Sequence, residues 1–143
     1  MIDLFSRKIV GWSMAEHMRV ELVLTALNAA LGQREPAQSG LLFHSDRGSQ
    51  YAGHDYQNTL LQSNINCSMS CRDNAVAESF FGTIKTEFIH HTTFSTRALT
   101  RTVIVEWIEV FYNRQRLHST IGFLSSSQFE DNFYLSLQLP VPA

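Results

Sequence analysis

The chain has 143 residues, enough for one domain with a real core and short for two. Hydrophobic residues make up 44%, which excludes a disordered composition, and no apolar run reaches membrane-spanning length. The first residues do not read as a signal peptide, so a cytoplasmic protein with no membrane role is expected.

A net charge of −2 argues against a large basic DNA-gripping surface. It does not exclude DNA, because an acidic metal site offsets nearby Lys and Arg. Two cysteines, Cys67 and Cys71, give no disulfide framework.

Met1 to Phe5 reads as the end of a strand, Ser6-Arg7-Lys8 as a tight polar turn, and Ile9 to Met14 as a second strand of a hairpin. Val20 to Gln33 reads as a helix, with Leu22, Ala26, Leu27 and Ala30 at helical spacing and Glu21 in the first turn. Gln33 to Gly40 contains Pro36 and reads as the loop that ends this helix. Leu41 to His44 is a short continuous apolar run, the pattern of a strand buried on both faces.

Ser45 to Gly53 is rich in turn residues, and a helix is predicted from His54 to Ser63. Ile65 to Met69 reads as a strand, Ser70 to Asp73 as a connection, and Asn74 to His90 as a helix with Phe81, Ile84 and Phe88 as its apolar stripe. Thr96 to Arg114 reads as a longer helix, with Ile104, Trp107, Ile108 and Phe111 on one face. A short helix is expected near Ser126 to Phe133, and Pro140 and Pro142 close a loose end. The order is mixed α/β, opening on a hairpin.

Asp46 follows an apolar strand directly, and ligands of open α/β sheets gather beyond strand carboxyl ends. A lone loop Asp is more often a turn-capping residue. Glu78 lies on a predicted helix with Lys85 seven residues on, hence on the same face two turns later. The commoner meaning of one such pair is a solvated helix face. Two carboxylates brought together hold hard divalent cations through oxygen. Two metals in one site activate a water or a 3′-hydroxyl against a phosphodiester.

Cys67, Cys71, His90 and His91 do not match the usual zinc-finger spacing, and inert thiols are the simpler reading. Trp12 and Trp107 read as core residues, His17 and His54 as surface histidines.

Several blocks of the chain resemble one family in order. Asp3-Leu4-Phe5-Ser6-Arg7-Lys8-Ile9-Val10-Gly11-Trp12 is similar to the strand-turn-strand segment of insertion-sequence transposases with a retroviral-integrase-like core. His44-Ser45-Asp46-Arg47-Gly48-Ser49-Gln50-Tyr51 resembles their second-acid motif, and Asp73 to Phe81, continuing to Lys85, their glutamate helix. Phe111-Tyr112-Asn113-Arg114-Gln115-Arg116-Leu117-His118-Ser119 resembles their C-terminal signature, and Gly122 to Glu130 the segment after it.

The resemblance implies a ribonuclease-H-like α/β fold, a mixed sheet flanked by helices and lacking the first strand. Residues 1–120 would form a partial catalytic core and 121–143 its C-terminal tail. It implies DNA transposition: metal-dependent cleavage at the element's ends, then attack of the freed 3′-hydroxyl on target DNA. Asp46 and Glu78 would be catalytic and would ligate Mg²⁺ or Mn²⁺. Lys85 would approach DNA, and Asn113, Arg114, Arg116 and His118 would position DNA or brace the fold. The implied partners are DNA (element ends and target) and further transposase copies.

Three departures stand against an active enzyme. Asp3 is a decoy, because the family's first catalytic Asp lies one strand earlier, upstream of Met1. The interval between Asp46 and Glu78 is shorter than usual, with the shortfall in Ser68 to Asp73. Ser126 stands where relatives usually carry Pro at a helix start. Whether the chain is an enzyme is therefore left open, and inactivity of this chain alone is the expectation. The alternatives are a non-catalytic fragment that pairs with and inhibits full-length transposase, or an inert remnant.

Overall fold

The computed structural model describes residues 1–34, 40–69 and 75–137. The chain divides into two compact units: Met1 with Gly11–Phe80, and Ile2–Val10 with Phe81–Ala143.

The first unit holds α1 (Val20–Gln33), β1 (Leu41–Ser45), a 3-10 turn (Ser49–Ala52), α2 (His54–Gln62), β2 (Ile65–Met69) and the start of α3 (Ala75–Glu87). β1 and β2 run parallel, in register from Leu41 opposite Ile65 to Ser45 opposite Met69. Parallel pairing needs a crossover connection, and α2 lies within it. Leu27 of α1, Tyr56 and Leu60 of α2 and Ile65 of β2 form the core, with Val20, Val23, Leu24, Phe43, Tyr51 and Cys67 packed against it. The Tyr56 ring meets Tyr51 and Phe43 edge-on at centroid distances of 5.6 and 6.3 Å.

Two expectations change here. β1 is not buried on both faces: Leu41 and Leu42 are 48% and 57% exposed. Among the described residues β1 pairs with β2 alone. The opening hairpin is a single antiparallel bridge, Ile2 to Ile9, rather than two strands.

The second unit begins with that hairpin. Its turn is tied by Asp3, whose carboxylate accepts from the Phe5 amide at 2.9 Å and the Ser6 hydroxyl at 3.0 Å. Arg7 completes the turn at φ 64°. On the edge of Ile9 away from Ile2, a side chain stands in for a further strand. Asn113 Oδ1 accepts from the Ile9 amide at 2.9 Å, and Asn113 Nδ2 donates to the Ile9 carbonyl at 3.1 Å.

The remaining elements are the end of α3, a 3-10 turn (Ile89–His91), α4 (Arg97–Glu106), a π-helical turn (Trp107–Tyr112), a second 3-10 turn (Ser119–Ile121) and α5 (Ser126–Ser136). Thr96 caps α4, accepting from the Leu99 amide at 3.2 Å. The helix expected over 96–114 changes pitch at Trp107. A π turn adds a residue per hydrogen-bonded loop, so the buried face runs through Trp107, Ile108 and Tyr112. Phe111, expected inside, is 36% exposed, and Tyr112 is 5% exposed. Phe81 of the expected α3 stripe also stands out in solvent, leaving Ile84 as its buried member.

Lys8 donates to Glu130 of α5 at 3.0 Å, pairing a carboxylate that is almost wholly buried. α5 opens on a capping box: the Ser125 hydroxyl accepts from the Gln128 amide, and the Gln128 side chain accepts from the Ser125 amide. The next residue, Ser126, is fully buried, and its hydroxyl has no hydrogen-bond partner.

Ser126→Pro is therefore expected to stabilise the protein. It removes an unsatisfied hydroxyl from a helix position that tolerates Pro. Ser125, at φ −74° and ψ 158°, already has the backbone that a residue before Pro adopts. A gain of about 1 kcal/mol, read as a melting-temperature rise of several degrees, is expected. A lower melting temperature would mean that the pocket cannot take the ring.

Candidate nucleic-acid and carboxylate site

Asp46 is the first residue after β1, held in a tight turn by its own loop: Oδ1 accepts from the Gly48 amide at 2.9 Å. The carboxylate is exposed. Burial pushes the nearby Tyr51 phenol above its ordinary pKa, and the Asp46 charge adds to that rise. Glu78 lies exposed in the first turn of α3, where an acid is favoured by the helix dipole. Lys85 lies exposed in the last turn, where a cation is favoured.

Both carboxylates are hard oxygen donors, the chemistry Mg²⁺ and Mn²⁺ take. Among the described residues, however, no three His, Cys, Asp or Glu side chains gather into a set that holds a metal. Cys71, the partner weighed with Cys67 for zinc, lies outside the described residues, as does the Ser70–Asn74 connection. Cys67 is half-buried, with its sulfur 3.9 Å from the Ser45 hydroxyl.

The C-terminal signature divides into one exposed cation and three braces. Arg114 is exposed. Asn113 is 1% exposed, and both polar atoms of its amide bond to the Ile9 backbone. Arg116 forks onto Glu87, with Nε donating to Oε2 at 2.9 Å and Nη2 to Oε1 at 2.7 Å. Its Nη1 lies 3.3 Å from His118 Nδ1, and its guanidinium stands over the Tyr112 ring at 5.9 Å. His118 is buried, edge-on to Tyr112 at 5.0 Å, and its backbone bridges to Leu124. All three make contacts within the protein that brace the fold.

Glu87 is the participant that sequence reasoning missed. An acid at a helix C-terminus is disfavoured by the dipole, and that was the available signal of a dedicated cation. The bond to Arg116 is the main cause holding the Glu87 carboxyl below its ordinary pKa.

His118 carries a pH prediction. Burial and then the Arg116 charge lower its pKa, a hydrogen bond to the Tyr112 backbone opposes them, and Arg7 and Glu87 add smaller effects of opposite sign. An arginine only donates, so Nδ1 must accept, which requires a neutral ring. Because the folded value lies below the ordinary 6.5, the unfolded chain binds the proton more readily. His118's share of stability is then complete above about pH 6.5 and is lost as pH falls toward the folded value. An NMR titration of the His118 ring should give a midpoint below that of an unfolded-chain histidine. A midpoint at or above it would contradict the neutral arrangement.

Comparison with known proteins places these features in one family. Two integrase core domain models match, one over residues 1–75 and the other over residues 78–133. The chain is 45% identical over 133 residues to the transposase for insertion sequence element IS904 of Lactococcus lactis, covering 90% of this chain and 52% of that protein. It is 46% identical over 137 residues to the insertion element IS600 31 kDa protein of Shigella sonnei, covering 92% of this chain and 50% of that one. It is 44% identical over 135 residues to the transposase InsF for insertion sequence IS3A of Escherichia coli, covering 92% and 46%. The chain thus spans about half the length of these relatives. No helix among the described residues is long and apolar enough to cross a membrane. The parallel β1–β2 pair and its helices agree with a ribonuclease-H-like α/β fold, and the chain belongs to the integrase core domain family.

Proposed function

We propose that this chain is part of an insertion-sequence transposase and acts in DNA transposition. The observation that carries the reading is the order of its parts: an acid directly after β1 and an acid in the first turn of α3, within a match running over residues 1–75 and 78–133. Asp46 and Glu78 are the carboxylates of the reaction. In relatives the family implies a divalent cation, with Mg²⁺ or Mn²⁺ the ions such donors take. Among the described residues, these two would supply part of a ligand set for such an ion.

Charge supports the division of labour. The first unit carries four Lys and Arg against seven Asp and Glu, the second seven against six. The net charge of −2 thus hides an acidic portion bearing both carboxylates and a less acidic one bearing Lys85 and Arg114. Lys85 holds a DNA phosphate as a point charge, and Arg114 offers a second contact.

Binding of the purified chain to duplex DNA, followed by fluorescence anisotropy against salt without divalent ions, tests this reading. Affinity should fall as salt rises, and Lys85→Ala should reduce the salt slope by about 1. Asp46→Asn and Glu78→Gln should tighten binding, because each removes a negative charge near the phosphates. Absence of binding, or no effect of Lys85→Ala, would sink the proposal.

A second reading is a non-catalytic partner of a full-length transposase, assembling with it or with further copies. The exposure of Leu41 and Leu42 on β1 favours it, since such a strand is open to pairing with another chain. Co-expression with an intact relative should then lower transposition in proportion to dose.

A further inference from the structure

We propose that Glu87 is a positioning residue: through Arg116 it fixes the last turn of α3, the turn that presents Lys85. The inference rests on the DNA-binding reading of Lys85 and changes the role of Arg116 from DNA contact to clamp. Glu87 is the final residue of α3, two positions after Lys85. Arg116 grips both its oxygens in the planar fork that matches a carboxylate.

The clamp is itself held from three sides. The Arg116 amide donates to the Phe111 carbonyl at 2.7 Å, the five-residue step of the π turn. Tyr112, 5% exposed, lies under the guanidinium. His118 accepts from Nη1, so Nε, Nη1 and Nη2 all have protein partners. A guanidinium committed in this way is poorly placed to bind phosphate. It is well placed to fix where α3 ends, which the unfavourable dipole at that end would otherwise leave to fray.

Charge exchange separates clamp from contact. Glu87→Arg and Arg116→Glu each break the fork, and the double exchange E87R/R116E restores an ion pair with reversed polarity. Amide exchange over residues 84–88 and affinity for duplex DNA are measured on the whole chain, with near-ultraviolet circular dichroism checking the fold. Each single change should speed exchange in that turn by about tenfold and the double should recover it, while R116E should weaken DNA binding several-fold and the double, which has the parent's net charge, should regain the parent's affinity.

Glu87→Gln, a milder change at a half-exposed carboxylate, should speed the same amides if a charge reversal fails to fold. Unchanged exchange in the single variants overturns the proposal, as does a double variant as loose as they are. A double variant that regains protection yet binds DNA as weakly as R116E overturns it too, because Arg116 is then a DNA contact. If the parent chain binds no DNA, the proposed function fails while the clamp is still judged by exchange and its rescue.

Discussion

Asn113→Ala is expected to cost about 3–5 kcal/mol, a large share of the stability of a domain this size. Ile9 is 2% exposed, and both its backbone groups are served by one amide side chain 104 residues away. Truncation leaves a buried N–H and a buried C=O without partners, each worth about 1–3 kcal/mol, and adds a cavity. Urea unfolding gives the size of the effect, and amide exchange at Ile9 gives its place. A loss below about 1 kcal/mol would mean that water replaces the amide and that the bridge is not structural.

Asn113→Asp sharpens the test. A carboxylate still accepts from the Ile9 amide but cannot donate to the Ile9 carbonyl, and it sets a charge at a site 1% exposed. Its folded pKa should rise above the unfolded value. Its deficit should then be greatest at neutral pH and shrink as acid protonates the group and restores a donor.

The same pair marks the limit of what local pattern reveals. α1, α2, β1 and β2 follow from periodicity and punctuation, since each is decided by residues within a few turns of itself. The hairpin is shorter than its strand pattern predicts, a single bridge from Ile2 to Ile9, and the free edge of Ile9 is served by a side chain from another part of the chain, which no local pattern signals. The π turn was missed for a related reason. Trp107 and Ile108 fit either pitch, and only tertiary packing selects Tyr112 over Phe111 as the next buried residue.

The candidate site divides the same way. Asp46, Glu78 and Lys85 stand in runs whose order can be read directly. The fork on Arg116 joins residues 29 apart, and only the misplaced acid at the end of α3 hinted at it.

Gly11→Ala is expected to destabilise the first unit by about 3 kcal/mol or more, from a single added methyl group. A Cβ at Gly11 would lie 2.3 Å from the Ala26 carbonyl oxygen and 2.7 Å from the Ala30 nitrogen and Cβ. Two of those three atoms are backbone of α1, so no rotamer change relieves the overlap and the helix itself must move. α1 also delivers Leu27, 2% exposed, into the core against Tyr56, Leu60 and Ile65. Moving it opens a cavity there as well as relieving the clash. The control is the same substitution within α1 itself. Gly32→Ala meets nothing within 4 Å and should stabilise by about 0.5–1 kcal/mol, as expected for a helical glycine. The opposite signs of the two changes isolate the close approach at Gly11 from helix propensity. A Gly11→Ala protein as stable as its parent would mean that α1 does not lie against this segment.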